Sequence, residues 1–339
     1  MNNEDFPKIT SFVNIVEIIK SIKSPRKIQI IGSDGKTYKY LLKGKEDLRV
    51  DQRVMKWFTL ANSLLHDNKY GVKMDLSIES YPIIPLGKHS GLIAWAEGGD
   101  TLFKLINRYI RITNPDCPQE EKELLEEYNL QPTPNKIRTN IQSLEIYRSL
   151  KQIYPSDSLR EIIWLKSPNS VIWFSQKTNY ARSLGLMSIV GYTIGLGERN
   201  PQNILYMKRN GKIVHIDFGE CFEKSMKRKH WPEKVPFRLT PMLIKGLGVS
   251  GVEGIFKMTA QFVMTLLRKN KSTLLSFLNT FVREDKQFNI RYKRVNDKLN
   301  GIENNEMELT PEEQVDHLIK EATDEMNLAQ MGLGWAPHW

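Results

Sequence analysis

The sequence predicts an α+β fold in two lobes, a β-rich lobe first and a larger helical lobe after it. Three observations predict it. A chain of 339 residues exceeds the roughly 250 to 300 residues at which a single core stops growing. Runs of strand composition at residues 28–31, 38–42, 81–86 and 90–95 fall almost wholly in the first hundred residues. Beyond them, apolar stripes at helical spacing dominate, interrupted by one short pair of strands. The expected boundaries are 1–95 for the first lobe, 96–300 for the second and 301–339 for a C-terminal segment.

Composition is that of an ordinary globular protein, 40% hydrophobic and 26% charged, which gives no reason for extensive disorder. The net charge of +10 suits a nucleic-acid binder, an anionic membrane surface or a site that handles phosphates. The basic residues spread from Lys20 to Lys298 without zinc spacing or a nucleic-acid module, which disfavours nucleic acid as a partner. Two cysteines, Cys117 and Cys221, cannot build a disulfide framework and suit a reducing compartment. The first residues lack the basic and apolar regions of a signal peptide. The longest uncharged run, residues 183–197, is too short to span a bilayer and reads as a buried helix. The expected location is cytoplasmic, with endomembrane surfaces or the nucleus as further sites.

Taken in order, the strands at 28–31 and 38–42 flank Gly32-Ser33-Asp34-Gly35, a turn whose backbone amides can cover nucleotide phosphates or simply close a hairpin. Lys43 follows the second strand, where its ammonium can reach phosphates as a point charge. It needs an acidic partner, and Glu46-Asp47-Leu48-Arg49-Val50-Asp51 supplies acids just after it; which of them pairs with it is open. Val54, Phe58, Ala61 and Leu65 recur at helical spacing as core. After the strands at 81–86 and 90–95, Ala96-Glu97-Gly98-Gly99 connects the lobes. Trp95 offers either a core anchor or a flat face for adenine.

The second lobe opens with a polar, proline-punctuated stretch at 116–158, where residues 120–128 read as one helix. Ile137, Ile141, Leu144 and Ile153 give a second helix its stripe. Thr240-Pro241 is a helix start, with threonine to cap and proline in the first turn. Ile255, Met258, Phe262 and Leu266 form one stripe and residues 274–282 another. Thr310-Pro311-Glu312-Glu313 opens a last helix with Val315, Leu318, Ile319, Ala322 and Met326 inward.

The chemistry concentrates between Gly197 and Gly219. Gly197-Glu198-Arg199-Asn200-Pro201-Gln202-Asn203 precedes two short strands, 204–206 and 213–216, joined through Asn210-Gly211, a tight-hairpin signal. Asp217-Phe218-Gly219 follows. Such a hairpin brings Asn203, entering, and Asp217, leaving, to one end. Magnesium-dependent phosphoryl transfer asks for an acid at the nucleophile, an amide and a carboxylate on the metal, and glycine under the phosphates.

This pair of segments resembles the catalytic and metal-binding segments of the phosphatidylinositol 3-kinase-related protein kinases, whose catalytic loop reads Asp-Arg-His before the Asn. Residues 41–55, Leu-Leu-Lys-Gly-Lys-Glu-Asp-Leu-Arg-Val-Asp-Gln-Arg-Val-Met, resemble the lysine strand and following helix of target-of-rapamycin kinases. The close, Gly334-Trp335-Ala336-Pro337-His338-Trp339, is similar to their FATC ending, Gly-Trp-Cys-Pro-Phe-Trp.

The resemblance implies a bilobal protein-kinase-like (PI3/PI4-kinase) fold and a serine/threonine protein kinase in growth or nutrient signalling, using ATP with magnesium or manganese. It implies Glu198 and Asn200 in the catalytic loop, Asn203 and Asp217 on the metal, and Lys43 on the phosphates, with Glu46 and Asp51 as candidate partners for lysine or metal. The nucleotide site it implies comprises Gly32, Ser33, Leu42, Lys43, Glu46, Asp51, Tyr81, Ile93, Trp95, Ala96, Thr101, Leu205 and Ile216. It implies protein substrates, and at 116–155 an insertion that docks a WD40-propeller partner, against a purely structural helix pair. A membrane-surface role for the FATC tail is a further expectation, as is a basic activation loop carrying Lys224, Lys227, Arg228, Lys229 and His230 toward acidic substrates.

The helical-repeat, FAT and rapamycin-binding regions that precede the kinase in that family find no match here, so rapamycin with its immunophilin is expected not to bind. Two departures stand out. Glu198 replaces the family's aspartate, moving the carboxylate by about an ångström, which can cost on the order of a hundredfold in rate, and Asn200 replaces its histidine. They keep a nucleotide-binding pseudokinase scaffold in view, and the basic activation loop keeps a phosphatidylinositol lipid kinase as a further alternative.

Overall fold

The computed structural model describes residues 6–20, 23–128, 140–282, 288–303 and 308–339. Ile137, expected in a helical stripe, lies outside them. The chain forms two compact units, one of residues 1–60 and 79–97, the other of residues 61–78 and 98–339.

The first unit is an antiparallel sheet. Its strands are β1 (Ile9–Phe12), β2 (Glu17–Ile18), β3 (Arg26–Gly32), β4 (Thr37–Gly44), β5 (Ile83–Gly87) and β6 (Ser90–Ala94). The order is β1-β3-β4-β6-β5, with β2 also paired to β3. The expected strands are present, β3 and β4 longer than expected and β5 and β6 one residue shorter. Helix α1 (Arg49–His66) begins in this unit, where Val54, Met55, Trp57 and Phe58 are buried. Each large apolar side chain so buried is worth roughly 1.5–3 kcal/mol, more than helix propensity supplies, so the stripe rather than propensity holds α1. β1 and β2 carry no sequence signal because Ile9, Phe12 and Ile18 are all exposed on them.

The second unit is helical around a small sheet. Its elements are α2 (Lys69–Lys73), β7 (Gly99–Thr101), α3 (Leu102–Thr113), α4 (Cys117–Glu127), α5 (Asn140–Ile153), α6 (Ser158–Leu165), α7 (Ser170–Thr193), β8 (Ile204–Met207), β9 (Ile213–His215), α8 (Pro241–Gly246), α9 (Ile255–Lys269), α10 (Lys271–Val282), α11 (Phe288–Asn300), α12 (Pro311–Thr323) and α13 (Glu325–Ala329). The central helix α7 starts where the Asn169 side chain accepts from the Ile172 amide at 2.9 Å. From Tyr180 onward it is almost entirely buried. Gly185 lets α9 approach, since a Cβ there would stand 2.7 Å from the Phe256 carbonyl oxygen.

Three expectations about this unit are corrected. On α9 Phe256, Thr259, Ala260, Val263, Met264, Leu266 and Leu267 are buried; of the expected stripe Leu266 is buried, Ile255 and Phe262 are half-buried, and Met258 is exposed. The helix is apolar on more than one side, and Phe262 meets Tyr70 of α2 with ring centroids 4.6 Å apart, so spacing alone does not separate the innermost row from its flank. On α5 the buried residues are Ser143, Ile146, Tyr147 and Leu150, and Ile141 is exposed. Tyr147 packs with Leu328, Met331 and Trp335, and this aromatic contact sets the inward face. Thr240 occupies the N-cap of α8 with extended backbone, but its side chain makes no capping bond, so the turn begins on the fixed φ of Pro241 alone. By contrast Thr310 and Glu313 form both bonds of a capping box at α12.

The C-terminal residues are part of this core. Trp335, His338 and Trp339 are buried, and Trp339 stacks on Phe103 at 5.7 Å. Arg238, also buried, donates to the main-chain oxygens of Trp335 at 2.6 Å, Ala336 at 2.7 Å and Trp339 at 3.0 Å. Inward-facing tryptophans leave the tail no aromatic surface to lay on lipid, which removes the basis of the membrane expectation. No helix among the described residues is long and apolar enough to cross a membrane.

Candidate active site

Helix α7 delivers the catalytic loop. Past its end the chain pairs with the segment that follows Asp217: the Gly197 amide donates to the Glu220 carbonyl at 2.8 Å, and the Glu223 amide to Gly195 at 2.9 Å. Glu198 and Asp217 both sit at φ +60°, a left-handed conformation that costs a non-glycine residue about 1–3 kcal/mol and survives only where surroundings enforce it. Arg199 supplies much of that enforcement. Buried beneath the loop, its guanidinium donates to the carbonyls of Gly197 at 2.8 Å, Ile216 at 2.9 Å and Asp217, and lies over the Phe218 ring. One cation thus ties the two strained turns together.

The β8–β9 hairpin sets Asn203 against Asp217. Ile204 pairs with His215, and the Ile216 amide donates to the Asn203 carbonyl at 3.0 Å, so both residues stand at the same end. The Asn203 side-chain nitrogen donates to the Glu198 carbonyl at 2.9 Å. That bond fixes the amide and leaves Oδ1 as the atom that could ligate a cation. Asp217 is exposed. Among the described residues no three His, Cys, Asp or Glu side chains group to hold a metal. An amide oxygen with one carboxylate therefore fits a hard cation that takes the rest of its shell from phosphates and water, the habit of magnesium. Asn200 has become a turn residue: its side-chain oxygen accepts from the Gln202 amide at 2.9 Å.

The segment after Asp217 bears on Glu198 twice. Glu233, buried, accepts from the Glu198 amide at 2.7 Å and from the Ser225 hydroxyl at 3.1 Å, and burial pushes its carboxyl above the usual range. Arg228 lies 3.3 Å from the Glu198 carboxylate and 3.2 Å from that of Glu220. Lys224 donates to the Gly219 carbonyl at 3.2 Å.

In the first unit, Lys43 pairs with Glu46, one of its two candidate partners, at 2.9 Å. Burial pushes the Glu46 carboxyl up, but hydrogen bonds from Lys23 and Lys43 outweigh it and hold it below the usual range. Asp51 is buried in the first turn of α1. Gly32 ends β3, and Ser33 donates its amide to the Lys8 carbonyl at 2.8 Å while its hydroxyl oxygen accepts from the Lys8 amide at 2.9 Å. Tyr81 is half-buried ahead of β5. Trp95 is about a third exposed and carries the Lys27 ammonium over its ring at 4.3 Å. Ala96 follows it, half-exposed.

One assignment shifts by a residue. The β4–β6 register pairs Lys43 with Gly91, Leu42 with Leu92 and Leu41 with Ile93. Leu42 therefore faces away from Lys43 and Ile93, and the leucine on their face is Leu41; strand alternation turns a one-residue slip into the opposite side. In the second unit, Leu205 is buried on β8 and Ile216 half-buried beyond β9. Thr101 pairs with Leu205 and caps α3, accepting from the Lys104 amide at 3.1 Å.

Comparison with known proteins agrees with this geometry. The family model for phosphatidylinositol 3- and 4-kinase matches residues 37–325, and the chain belongs to that family. Within it the chain falls among the phosphatidylinositol 3-kinase-related serine/threonine protein kinases and is similar to the target-of-rapamycin kinases. It is 36% identical to serine/threonine-protein kinase mTor of Drosophila melanogaster over 99% of this chain and 16% of that protein. It is 43% identical to serine/threonine-protein kinase TOR of Arabidopsis thaliana over 81% of this chain and 11% of that one. The solved FAT and kinase domain of CtTel1 superposes with TM-score 0.86 at 27% identity, covering 100% of this chain and 24% of that one. The chain thus spans about a sixth or less of the curated relatives it matches.

Proposed function

We propose that this chain is an ATP- and magnesium-dependent serine/threonine protein kinase of cytoplasmic growth or nutrient signalling. One observation carries the reading: the hairpin sets Asn203 beside Asp217 while Asn203 is bonded to the Glu198 loop. Asn203 Oδ1 and the Asp217 carboxylate would hold magnesium, or manganese in its place, which neutralises charge on the β- and γ-phosphates when bound. Lys43 steadies the phosphates. Glu198 orients the substrate hydroxyl and accepts its proton as the new oxygen–phosphorus bond forms and the bond to the departing ADP oxygen breaks.

A scaffold without transfer is the second reading, favoured by Asn200 being used up in a turn where the family carries histidine. The lipid-kinase reading loses support because Arg228, one of three basic residues expected to meet a headgroup, is committed to Glu198 and Glu220. A WD40-propeller partner at 116–155 stays a proposal, supported by the exposed Ile141 on α5. A pull-down lacking residues 116–155 that still recovers a propeller protein sinks it.

The experiment is transfer of labelled γ-phosphate to a panel of serine/threonine peptides and inositol lipids. Peptide products are expected. Lipid products alone, abolished by charge reversal at Lys227, Arg228 and Lys229, would reinstate the lipid reading, and ATP binding without any product would establish the scaffold.

A further inference from the structure

Resting on the reading of Glu198 as the base, we infer that the activation segment holds that residue at both ends, with Arg228 and Glu233 as positioning residues. The backbone end is fixed by Glu233, whose carboxylate receives the Glu198 amide at 2.7 Å. Glu233 is itself anchored, accepting from the Ser225 hydroxyl at 3.1 Å while its amide donates to the Ser225 carbonyl at 3.1 Å. Ser225 in turn lies flush against Gly197, where a Cβ would stand 1.7 Å from its hydroxyl oxygen. The loop and the segment are thus fitted as one piece around a residue held at φ +60°.

The side-chain end needs its own restraint. Glutamate carries one more rotatable bond than aspartate, and at 41% side-chain exposure nothing in packing alone selects a rotamer. Arg228 does so. Its terminal nitrogen sits between the Glu198 and Glu220 carboxylates, 3.3 and 3.2 Å away. Glu220 keeps the guanidinium from following Glu198 outward, and the shared cation holds the longer carboxylate back toward the loop. A solvent-accessible pair of this kind contributes little to stability, so its consequence is placement. The same contact read as a brake, a cation masking the base, predicts the opposite sign on removal.

The test uses the full chain with labelled ATP and a degenerate serine/threonine peptide library, with hydrogen exchange on the same preparations. Arg228→Ala is expected to lower kcat about tenfold to a hundredfold with KM for ATP unchanged, and Arg228→Lys to recover part of the loss. In a Glu198→Asp background the same Arg228→Ala change costs far less, because the shorter carboxylate has no extra bond to restrain. Peptides covering 197–203 exchange faster in Glu233→Leu and in Arg228→Ala. An Arg228→Ala rate equal to wild type, or higher as a brake requires, overturns the inference. If wild type transfers no phosphate, the kinase reading fails by itself, and exchange still decides: unchanged protection in both variants refutes the positioning role.

Discussion

The side-chain nitrogen of Asn203 donates to the main-chain carbonyl of Glu198 at 2.9 Å, so the amide proposed as a metal ligand also steadies the loop proposed to present the base. Removing both functions with Asn203→Ala is expected to cut transfer on the order of a hundredfold or more. Asn203→Asp retains an oxygen ligand but loses the donor. A magnesium titration separates the two: the half-saturating concentration rises in Asn203→Ala and changes little in Asn203→Asp, whose defect lies in kcat.

Lys43 is a phosphate contact in this account, and Glu46 is the acid that aims it. Lys43→Met should raise KM for ATP about tenfold or more while lowering kcat. Glu46→Gln keeps the lysine's charge and loses only its aim, so a smaller effect is expected. Steady-state kinetics over an ATP range checks both.

Behind the loop lies a buried ion network with a pH signature. Lys298 lies 2.8 Å and Arg294 2.9 Å from Glu223. Burial pushes the Glu223 carboxyl up, but the two cations outweigh it and hold it far below its ordinary value of 4.5. A carboxylate whose folded pKa is depressed contributes stability above its unfolded pKa and loses it as pH falls toward the folded value. Acid titration of thermal stability should therefore show a decline beginning below pH 4.5. Glu223→Gln should be less stable at neutral pH by about 3–5 kcal/mol, the cost of stranding a buried partner, and should decline less with acid.

Arg238 clasps the C-terminal residues through three main-chain oxygens and lies over the Trp335 ring at 4.4 Å. Burial draws its guanidinium down to about 9, so it remains charged at neutral pH. Arg238→Met leaves those oxygens buried without a donor, and each such group costs about 1–3 kcal/mol. A fall in melting temperature on the order of 10 °C is expected, with the tail becoming sensitive to carboxypeptidase.

What the sequence made legible were features that local rules govern. Strand pairs around turn residues, the α1 stripe, the Asn-Gly hairpin and the Thr310 cap each depend on neighbours in the chain. The α9 and α5 faces are only partly legible, because partners distant in sequence, α2 for one and the C-terminal residues for the other, choose which apolar row is innermost. Composition marks β4 as a strand without marking its register, so it does not distinguish Leu42 from Leu41 as the leucine on the Lys43 face. Arg199 has a signal in the sequence, since an arginine beside an uncharged buried run is a candidate for satisfying main-chain carbonyls. Arg228 and Glu233 carried no signal of contact with Glu198 at all; only the folded path of residues 225–233 brings them there.

The central claim is that Asp217 and Asn203 form a magnesium site serving the Glu198 loop. Its most direct test is the rate of γ-phosphate transfer to serine/threonine peptides with magnesium, wild type against Asp217→Ala, both shown folded by melting temperature. The account predicts transfer by wild type that depends on magnesium and vanishes in Asp217→Ala. Equal rates in the two proteins, or transfer indifferent to magnesium, would contradict it.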